Sequence, residues 1–459
     1  MPVTELYRLG LREAVAGVRD RRFSSEAYTR AVLDRIAALE PTVQAFAWLD
    51  PDAALAHARS CDAAAPRDDG SDCLRGVPLA LKDVIDTAGV PTECGTPVYR
   101  GRVPRASAAI VRKLEAAGGF LLGKTVTAEL AFYSPGVTRN PWNPAHTPGG
   151  SSSGSAAAVA AGFVPAALGT QTNGSVIRPA AFCGVVGFKP SSGMISRAGV
   201  LLFSPTLDHV GVFARDVDDA ARLTCCLAGF DEGDAAGVNA PHVLCTPAQT
   251  LPELASPPRL AVVRTPVWFE AQPHQRDNLL DMASRFAAAD AVVDEVALPP
   301  IFADAHQLHH VIMFGEGARS LRRLQERHRA WLSDRLNALI DEGLGISDAQ
   351  IEDAMAQRLQ LNREMRGILG SYDAVITPPA TGEAPATLTH TGDPIFCTIW
   401  TLTGLPAVTL PSGFGPNGLP LGVQIVGPYM RDDRLMSVAK WCERVIGLGP
   451  LIAPLRGND

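Results

Sequence analysis

Short apolar runs alternate with helical patterns between residues 77 and 229, and this alternation is the feature that most constrains the fold. The apolar runs occupy residues 79–85, 120–123, 163–168, 184–188 and 209–213. Helical patterns lie between or after them, over residues 106–117, 153–161, 175–182 and 216–227. Strands that alternate with helices pack as layers around one sheet. We therefore predict an α/β fold in which a large mixed β-sheet is sandwiched between α-helices.

The flanking segments extend this core and do not form separate modules. Residues 4–48 show two helical patterns, and residues 259–370 begin with a strand–helix–strand pattern and then become mostly helical. Strand patterns return after residue 371, and a helical pattern follows them. We predict a single domain over residues 1–459, made of N-terminal helices (1–70), a core (76–230), a variable helical excursion (259–370), and C-terminal strands and a helix that complete the core (371–459).

The composition excludes several classes of protein. Hydrophobic residues make up 46% of the 459 residues and charged residues 19%, as is typical of a packed globular protein. A net charge of -7 argues against a nucleic-acid-binding surface, and no run approaches the ~18 apolar residues of a membrane span. The N-terminus has no signal-peptide pattern, and the nine cysteines have no zinc spacing. We expect a cytoplasmic protein with reduced thiols, without a membrane or direct nucleic-acid partner and without a metal or other cofactor.

A glycine- and serine-rich stretch is the first candidate for chemistry. It runs from Gly149 to Ser155 and leads directly into an alanine-rich helical pattern that reaches Gly162. The backbone N–H groups at the start of that helix would face the serine-rich loop. A flexible linker is the structural alternative, although a linker would not abut an apolar helix. A phosphate-binding loop is disfavoured because its Lys-Ser/Thr ending is missing.

A second serine follows at a tight turn, in the sequence Thr172-Asn173-Gly174-Ser175. Asn and Gly allow a turn that aims consecutive backbone amides at one point. Such a turn can form an oxyanion hole with a serine hydroxyl at its edge. The structural alternative is an ordinary strand-to-helix turn in which Ser175 caps the helix.

Lys82 is the third candidate, because it lies within the apolar run of residues 79–85. A serine hydroxyl needs a base within hydrogen-bond reach to act as a nucleophile. A lysine can be that base only if desolvation lowers its pKa toward the working pH. The structural alternative is a lysine whose amine extends out of the strand into solvent.

Together these features resemble the amidase signature family, whose core holds a glycine–serine-rich stretch, a second serine 24 residues later and an upstream lysine. Residues 147–162 are similar to the family signature almost residue for residue. The resemblance extends to residues 76–83, 123–125, 140–144, 173–175, 183–190, 208–211 and 403–407. Residues 231–370 carry no recognisable family landmark. The resemblance implies the amidase signature fold.

The resemblance also implies a role for each candidate. Ser175 matches the nucleophile, Ser151 a bridging serine held by a cis peptide bond, and Lys82 the base. The backbone amides of residues 172–175 would hold the oxyanion, and Ser153 is a supporting candidate. The implied product of the first step is an acyl-enzyme on Ser175.

The sequence departs from the family next to the nucleophile. Many members carry an acidic residue at the position of Gln171, a glycine at Asn173 and an arginine at Ile177, whereas here the arginine is shifted by one position, to Arg178. We interpret the loss of the acid and the arginine as replacement of an ion pair by neutral packing.

The resemblance indicates an apolar, aromatic substrate pocket that favours an aryl or alkyl acyl group over a charged one. Its predicted lining includes Phe132, Tyr133, Gly136, Ile395, Phe396 and Trp400. Three nearby histidines, His306, His309 and His310, are interpreted as helix surface and not as a metal site, since no acidic or cysteine partner has suitable spacing.

Three functions follow from these residues. The first is a stand-alone serine hydrolase of C–N acyl bonds in small molecules: amides, and also carbamates, hydrazides or aryl esters. The alternative is the glutamine-hydrolysing subunit of a tRNA-dependent amidotransferase, which would need partner chains. A binding protein without catalysis is disfavoured because Lys82, Ser151 and Ser175 are all present. The sequence leaves the natural substrate and the oligomeric state open, a homodimer included.

Overall fold

The computed structural model describes residues 3–65, 67, 71–238 and 251–455. Within them the strands are β1 (Phe46–Leu49), β2 (Pro78–Lys82), β3 (Phe120–Thr125), β4 (Ala166–Gln171), β5 (Val186–Lys189), β6 (His209–Ala214), β7 (Arg259–Arg264), β8 (Val292–Ala297), β9 (Ala374–Thr377), β10 (Ala407–Phe414) and β11 (Pro420–Val426). The helices are α1 (Leu11–Arg19), α2 (Ser25–Val43), α3 (Pro51–Ala63), α4 (Ala109–Ala116), α5 (Ser153–Ala160), α6 (Ile177–Cys183), α7 (Val217–Leu227), α8 (Pro273–Ala288), α9 (Ala305–His328), α10 (Asp334–Leu344), α11 (Asp348–Leu369), α12 (Thr398–Leu402) and α13 (Asp432–Ile446).

These strands form one mixed sheet in the order β1-β3-β2-β4-β6-β5-β10-β11-β9-β7-β8. Strand β2 pairs in parallel with β3 and β4, whereas β5 pairs antiparallel with β6 and β10. The pairing of β5 with β10 places C-terminal strands in the same sheet as the first half of the chain. Helices α5 and α6 pack together against the central strands, and α7 and α13 form another packed pair against them. The sheet sandwiched by helices confirms the predicted α/β class.

The central strands are buried along their whole length, which explains why they appear in the sequence as continuous apolar runs. Every residue of β2, β4 and β11 is buried. Strands covered on both faces lose the polar/apolar alternation of a half-exposed sheet. Lys82 at the end of β2 is therefore buried because its strand is central.

The N-terminal region differs from the prediction. Pro41, a residue type that commonly follows a helix end, lies inside α2, which ends where Gln44 adopts a left-handed conformation. Strand β1 then follows within the segment predicted to be helical, and pairs antiparallel with β3. Four residues with partly exposed side chains are too few to show a strand period in the sequence.

The helical excursion is built mainly from α9, α10 and α11, which pack against one another. Helix α9 also packs against α12, and so lies next to the segment that follows β9. The excursion thereby contributes to the surroundings of the serine turn. None of the helices in the described ranges combines the length and apolar character needed to cross a bilayer.

Candidate active site

Two adjacent parallel strands end at the site. Lys82 is the last residue of β2, and Thr170 lies near the end of its neighbour β4. Because parallel strands present their carboxyl ends at the same edge of a sheet, the two side chains meet there. The Nζ of Lys82 lies 2.7 Å from the Oγ1 of Thr170 and 2.8 Å from the Oγ of Ser151. The amine therefore lies inside the protein and does not reach solvent.

Burial gives this lysine the acid–base character that a base requires. Desolvation lowers the pKa of Lys82 to about 7, although the negative charge of Asp208 opposes the shift. A neutral amine has one lone pair to accept a proton and two N–H groups to donate. Lys82 can thus donate to Thr170 while it accepts from the hydroxyl of Ser151.

The glycine–serine stretch places its serines on different partners. The peptide bond between Gly150 and Ser151 is cis. Ser152 donates to the carbonyl oxygen of Thr170 (3.0 Å) and accepts from the N–H of the same residue (3.2 Å), so it anchors the end of β4. Ser153 donates to the carbonyl oxygen of Val126 at 3.3 Å and bonds to none of the three proposed catalytic side chains. The supporting role of Ser153 therefore stays a prediction.

The second serine lies on a turn whose backbone amides are unused. Ser175 comes between β4 and α6, and shares a cleft with Ser151, without a hydrogen bond between the two hydroxyls. Within the described chain, the N–H groups of Asn173, Gly174 and Ser175 donate to no acceptor. Unpaired amides beside a hydroxyl are the arrangement that an oxyanion hole needs. The turn is thus suited to hold a developing negative charge.

Helix α12 holds this turn through hydroxyl groups. Thr401 accepts a hydrogen bond from the side-chain amide of Gln171 (2.9 Å) and donates to the carbonyl oxygen of Asn173 (2.5 Å). Thr398 donates to the side-chain oxygen of Asn173 at 2.9 Å. Gln171 also accepts from the backbone N–H of Val176 (2.8 Å). Gln171 and Asn173, which both depart from the family pattern, therefore belong to a network of hydrogen bonds between uncharged groups.

Two side chains that the sequence did not reveal support the same turn. Asp208 accepts from the hydroxyl of Thr172 (2.5 Å) and from the backbone N–H of Phe203 (2.6 Å), and burial raises its pKa to about 6. The Nε2 of His309 lies 3.0 Å from the carbonyl oxygen of Thr172, and burial lowers its pKa to about 4. Neutral His309 is thus a donor to the turn. Nothing in the sequence could connect it to position 172, because the two residues are 137 positions apart.

The placement of His309 corrects the interpretation of the three histidines as helix surface, since its side chain is buried. His306 contacts the carbonyl oxygen of Ile395 at 3.0 Å, and His310 contacts Glu342 at 2.7 Å. The three rings therefore have separate partners. The described residues contain no cluster of three or more potential metal ligands.

Two of the predicted pocket residues line the cleft that holds Ser151 and Ser175. Phe132 and Tyr133 line it, whereas Gly136, Ile395, Phe396 and Trp400 do not. Phe396 and Trp400 are buried in the protein interior, and Pro394 is the residue of that segment that reaches the cleft. The remaining lining residues are Ala131, Ser151, Thr172, Asn173, Gly174, Ser175, Arg178, Met313 and Thr391.

The presence of Arg178 in this lining differs from the expected apolar pocket. Its Nη2 donates to the carbonyl oxygen of Gly150 (2.7 Å) and to the hydroxyl of Thr391 (3.0 Å). Ile177, where many family members carry the arginine, is fully buried among apolar side chains. In this chain the side chain at position 177 is therefore apolar and buried, and the arginine at position 178 lines the cleft.

Comparison with known proteins identifies the family of this chain over almost its whole length. A family model described as Amidase matches residues 27–436. The A subunit of the glutamyl-tRNA(Gln) amidotransferase from Acidothermus cellulolyticus is 35% identical, over 95% of this chain and 94% of its own length.

Solved structures show the same likeness. The corresponding A subunit from Thermotoga maritima has a TM-score of 0.78 and 28% identity, over 100% of this chain and 98% of its own. The peptide amidase from Stenotrophomonas maltophilia has a TM-score of 0.81 and 28% identity, over 98% of this chain and 100% of its own. The chain belongs to the amidase signature family, whose members are hydrolases of carbon–nitrogen bonds other than peptide bonds.

Proposed function

We propose that the protein hydrolyses the amide bond of a small molecule through an acyl-enzyme on Ser175. The observation that carries the proposal is the contact of 2.8 Å between Lys82 and Ser151, in the same cleft as Ser175 and the unused amides of its turn. This arrangement supplies a base, a relay, a nucleophile and an oxyanion hole.

The reaction follows from the protonation states of these groups. Neutral Lys82 takes a proton from Ser151 while Ser151 takes one from Ser175, whose oxygen attacks the substrate carbonyl. The amides of residues 172–175 hold the oxyanion that forms. The proton then passes back through Ser151 to the leaving nitrogen, the C–N bond breaks, and water releases the acid from Ser175. Carbamates, hydrazides and aryl esters are further candidate substrates for the same steps.

Of the candidate roles, the relatives most support the glutamine-hydrolysing subunit of a tRNA-dependent amidotransferase. The relative from Acidothermus cellulolyticus carries the name of an amidotransferase subunit and matches nearly its whole length. The similarity thus favours the alternative drawn from the sequence over the stand-alone enzyme. In this setting the protein acts in the cytoplasm with partner chains.

One observation favours the stand-alone enzyme as a second candidate. Free glutamine carries an ammonium group as well as a carboxylate, but the cleft is lined by an arginine and by no acidic side chain among the described residues. A cleft with one positive charge and no negative one suits an amide that lacks an ammonium group. The peptide amidase likeness shows that this fold also occurs outside amidotransferases.

Purified protein, assayed without partners, separates these settings. We expect ammonia release from simple aliphatic amides and covalent labelling of Ser175 by a fluorophosphonate, with both lost in Ser175→Ala. Hydrolysis confined to glutamine and dependent on added amidotransferase subunits would assign the subunit role. Absence of both labelling and amide hydrolysis, with and without those subunits, would refute the proposed function.

A further inference from the structure

Arg178 is a buried arginine that lines the proposed catalytic cleft. Arg178 is about 2% exposed and lies in the first turn of α6, three residues after Ser175. Ser175 lines the same cleft.

The guanidinium is only partly satisfied by the protein. Nη2 has two acceptors, the carbonyl oxygen of Gly150 and the hydroxyl of Thr391. Nε and Nη1 are buried and have no hydrogen-bond acceptor among the described residues. The carboxylate of Asp393 is close enough to influence Arg178, but accepts from the backbone N–H of Ile395. Arg178 thus forms no ion pair with any described carboxylate.

Two other buried arginines of this chain pair with carboxylates, whereas Arg215 bonds to three backbone carbonyl oxygens and leaves only its Nε without an acceptor in the described part of the chain. Arg197 forms a two-pronged pair with Asp234, at 3.0 and 2.8 Å. Arg75 pairs with Asp72 at 2.9 Å. A buried charge without a partner is costly, because the protein interior does not replace the water that it loses. The two free nitrogens of Arg178 can therefore donate to an anion that binds in the adjacent cleft.

The geometry points to a carboxylate as that anion, and we propose that Arg178 selects small amides that carry a carboxylate a few bonds from the scissile carbonyl. This inference rests on the proposed function and names its substrate class. A guanidinium offers paired N–H groups that match the two oxygens of a carboxylate. Phe132 and Tyr133 flank the rest of the cleft and would cover the short carbon chain between the two groups.

Matched substrates test this selection directly. Succinamate and butyramide have the same four-carbon chain and differ in one carboxylate, and glutaramate and valeramide form a second such pair. We expect kcat/KM of the wild-type enzyme to be about 10- to 100-fold higher for the carboxylate of each pair, the range typical of a charged hydrogen bond. In Arg178→Met the ratio should fall to about one, because only the carboxylate loses a partner.

Two further variants separate recognition from structural damage. Arg178→Lys keeps the positive charge but loses the paired N–H groups of the guanidinium. It should therefore show an intermediate preference for the carboxylate substrate. Thr391→Val removes a hydroxyl partner of Arg178 but keeps the guanidinium, and should keep most of the preference. Activity of Arg178→Met on butyramide shows that the nucleophile still works, even where the loss of the bond to Gly150 lowers the overall rate.

Binding provides a readout that does not depend on turnover. Succinate should raise the Tm of Ser175→Ala, and this shift should disappear in Ser175→Ala/Arg178→Met, with butyramide as the uncharged control. No carboxylate preference in an active wild-type enzyme, or an unchanged succinate shift without Arg178, would overturn the inference and leave the amidase proposal standing. A wild-type enzyme that binds succinate through Arg178 but cleaves no amide would support the anion site and refute the proposed function.

Discussion

Lys82, Lys124 and Lys189 are all buried, and desolvation lowers the pKa values of the three to about 7, 8 and 7. Burial alone therefore does not identify a catalytic base. Lys124 donates to the carbonyl oxygen of Ile85 (2.6 Å), and Lys189 donates to that of Leu405 (2.5 Å). Of the three, Lys82 is the one that contacts a serine hydroxyl. The residue is distinguished by its partner and not by its pKa.

The catalytic rate should depend on pH through the protonation of Lys82. Because only neutral Lys82 can accept a proton, kcat/KM should rise tenfold per unit as the pH increases toward the pKa of about 7, and level off above it. The measurement is a pH–rate profile on an uncharged amide such as butyramide, so that substrate ionisation does not contribute.

Lys124→Met serves as the matched control, since Lys124 is also buried but does not contact Ser151. A folded Lys124→Met enzyme should keep the same acidic limb, whereas Lys82→Met should lose activity over the whole range. A rate that stays constant well below pH 6 would contradict the assignment of Lys82 as base.

At the scale of elements, the serine turn depends on a short helix that lies far from it in sequence. Helix α12 presents Thr398 and Thr401 to the turn, and Thr401 alone joins Gln171 to the carbonyl oxygen of Asn173. The backbone amides that we propose to bind the oxyanion are therefore positioned by contacts from outside their own loop.

This arrangement predicts the effect of removing one hydroxyl. Thr401→Val should lower kcat about tenfold or more with little change in KM, because misplaced oxyanion donors act mainly in the transition state. Steady-state kinetics on a neutral amide measure kcat and KM separately. Thr401→Ser, which keeps the hydroxyl, should restore the rate.

Thr403→Val is the control for general damage to α12. The hydroxyl of Thr403 is buried and donates to the carbonyl oxygen of Ile399, away from the turn. Its loss should reduce stability without the selective fall in kcat. Equal kinetic effects of the two valine variants would show that Thr401 has no special positioning role.

At the scale of the whole molecule, the sheet joins segments that are distant in the chain. Strand β3 belongs to the first third of the chain and β9 to the last, yet both lie in one sheet whose centre is the β4–β6–β5–β10 block. Leu122 of β3 and Ile376 of β9 are both buried. A substitution at either position should therefore destabilise the same hydrophobic core.

We expect Leu122→Ala and Ile376→Ala each to lower the free energy of unfolding by about 2–5 kcal/mol, the usual cost of an aliphatic side chain lost from a core. Both should shift one common transition in urea, followed by circular dichroism and by tryptophan fluorescence. Two transitions that respond separately to the two variants would show that the halves unfold independently.

Much of the fold could be predicted from the sequence because its central strands are short, apolar and fully buried. The apolar runs at residues 120–123, 184–188 and 209–213 overlap the observed β3, β5 and β6 closely. Strand β1 was missed, since four partly exposed residues after a helix carry no clear period. The order of the strands could not be predicted, because pairing depends on contacts that no local pattern records.

The fold class and the candidate reactive groups could be identified from the sequence, because apolar runs, glycine turns and the Lys–Ser–Ser spacing are local properties of the chain. Which of these groups contact one another depends on the tertiary structure. Thr401 meets Gln171 across 230 positions, Ser152 bonds to Thr170 at the end of β4, and Arg178 lines the cleft. The physical reason is that hydrogen bonding and burial depend on where side chains lie in space. Those positions are set only when distant segments of the chain pair in the sheet.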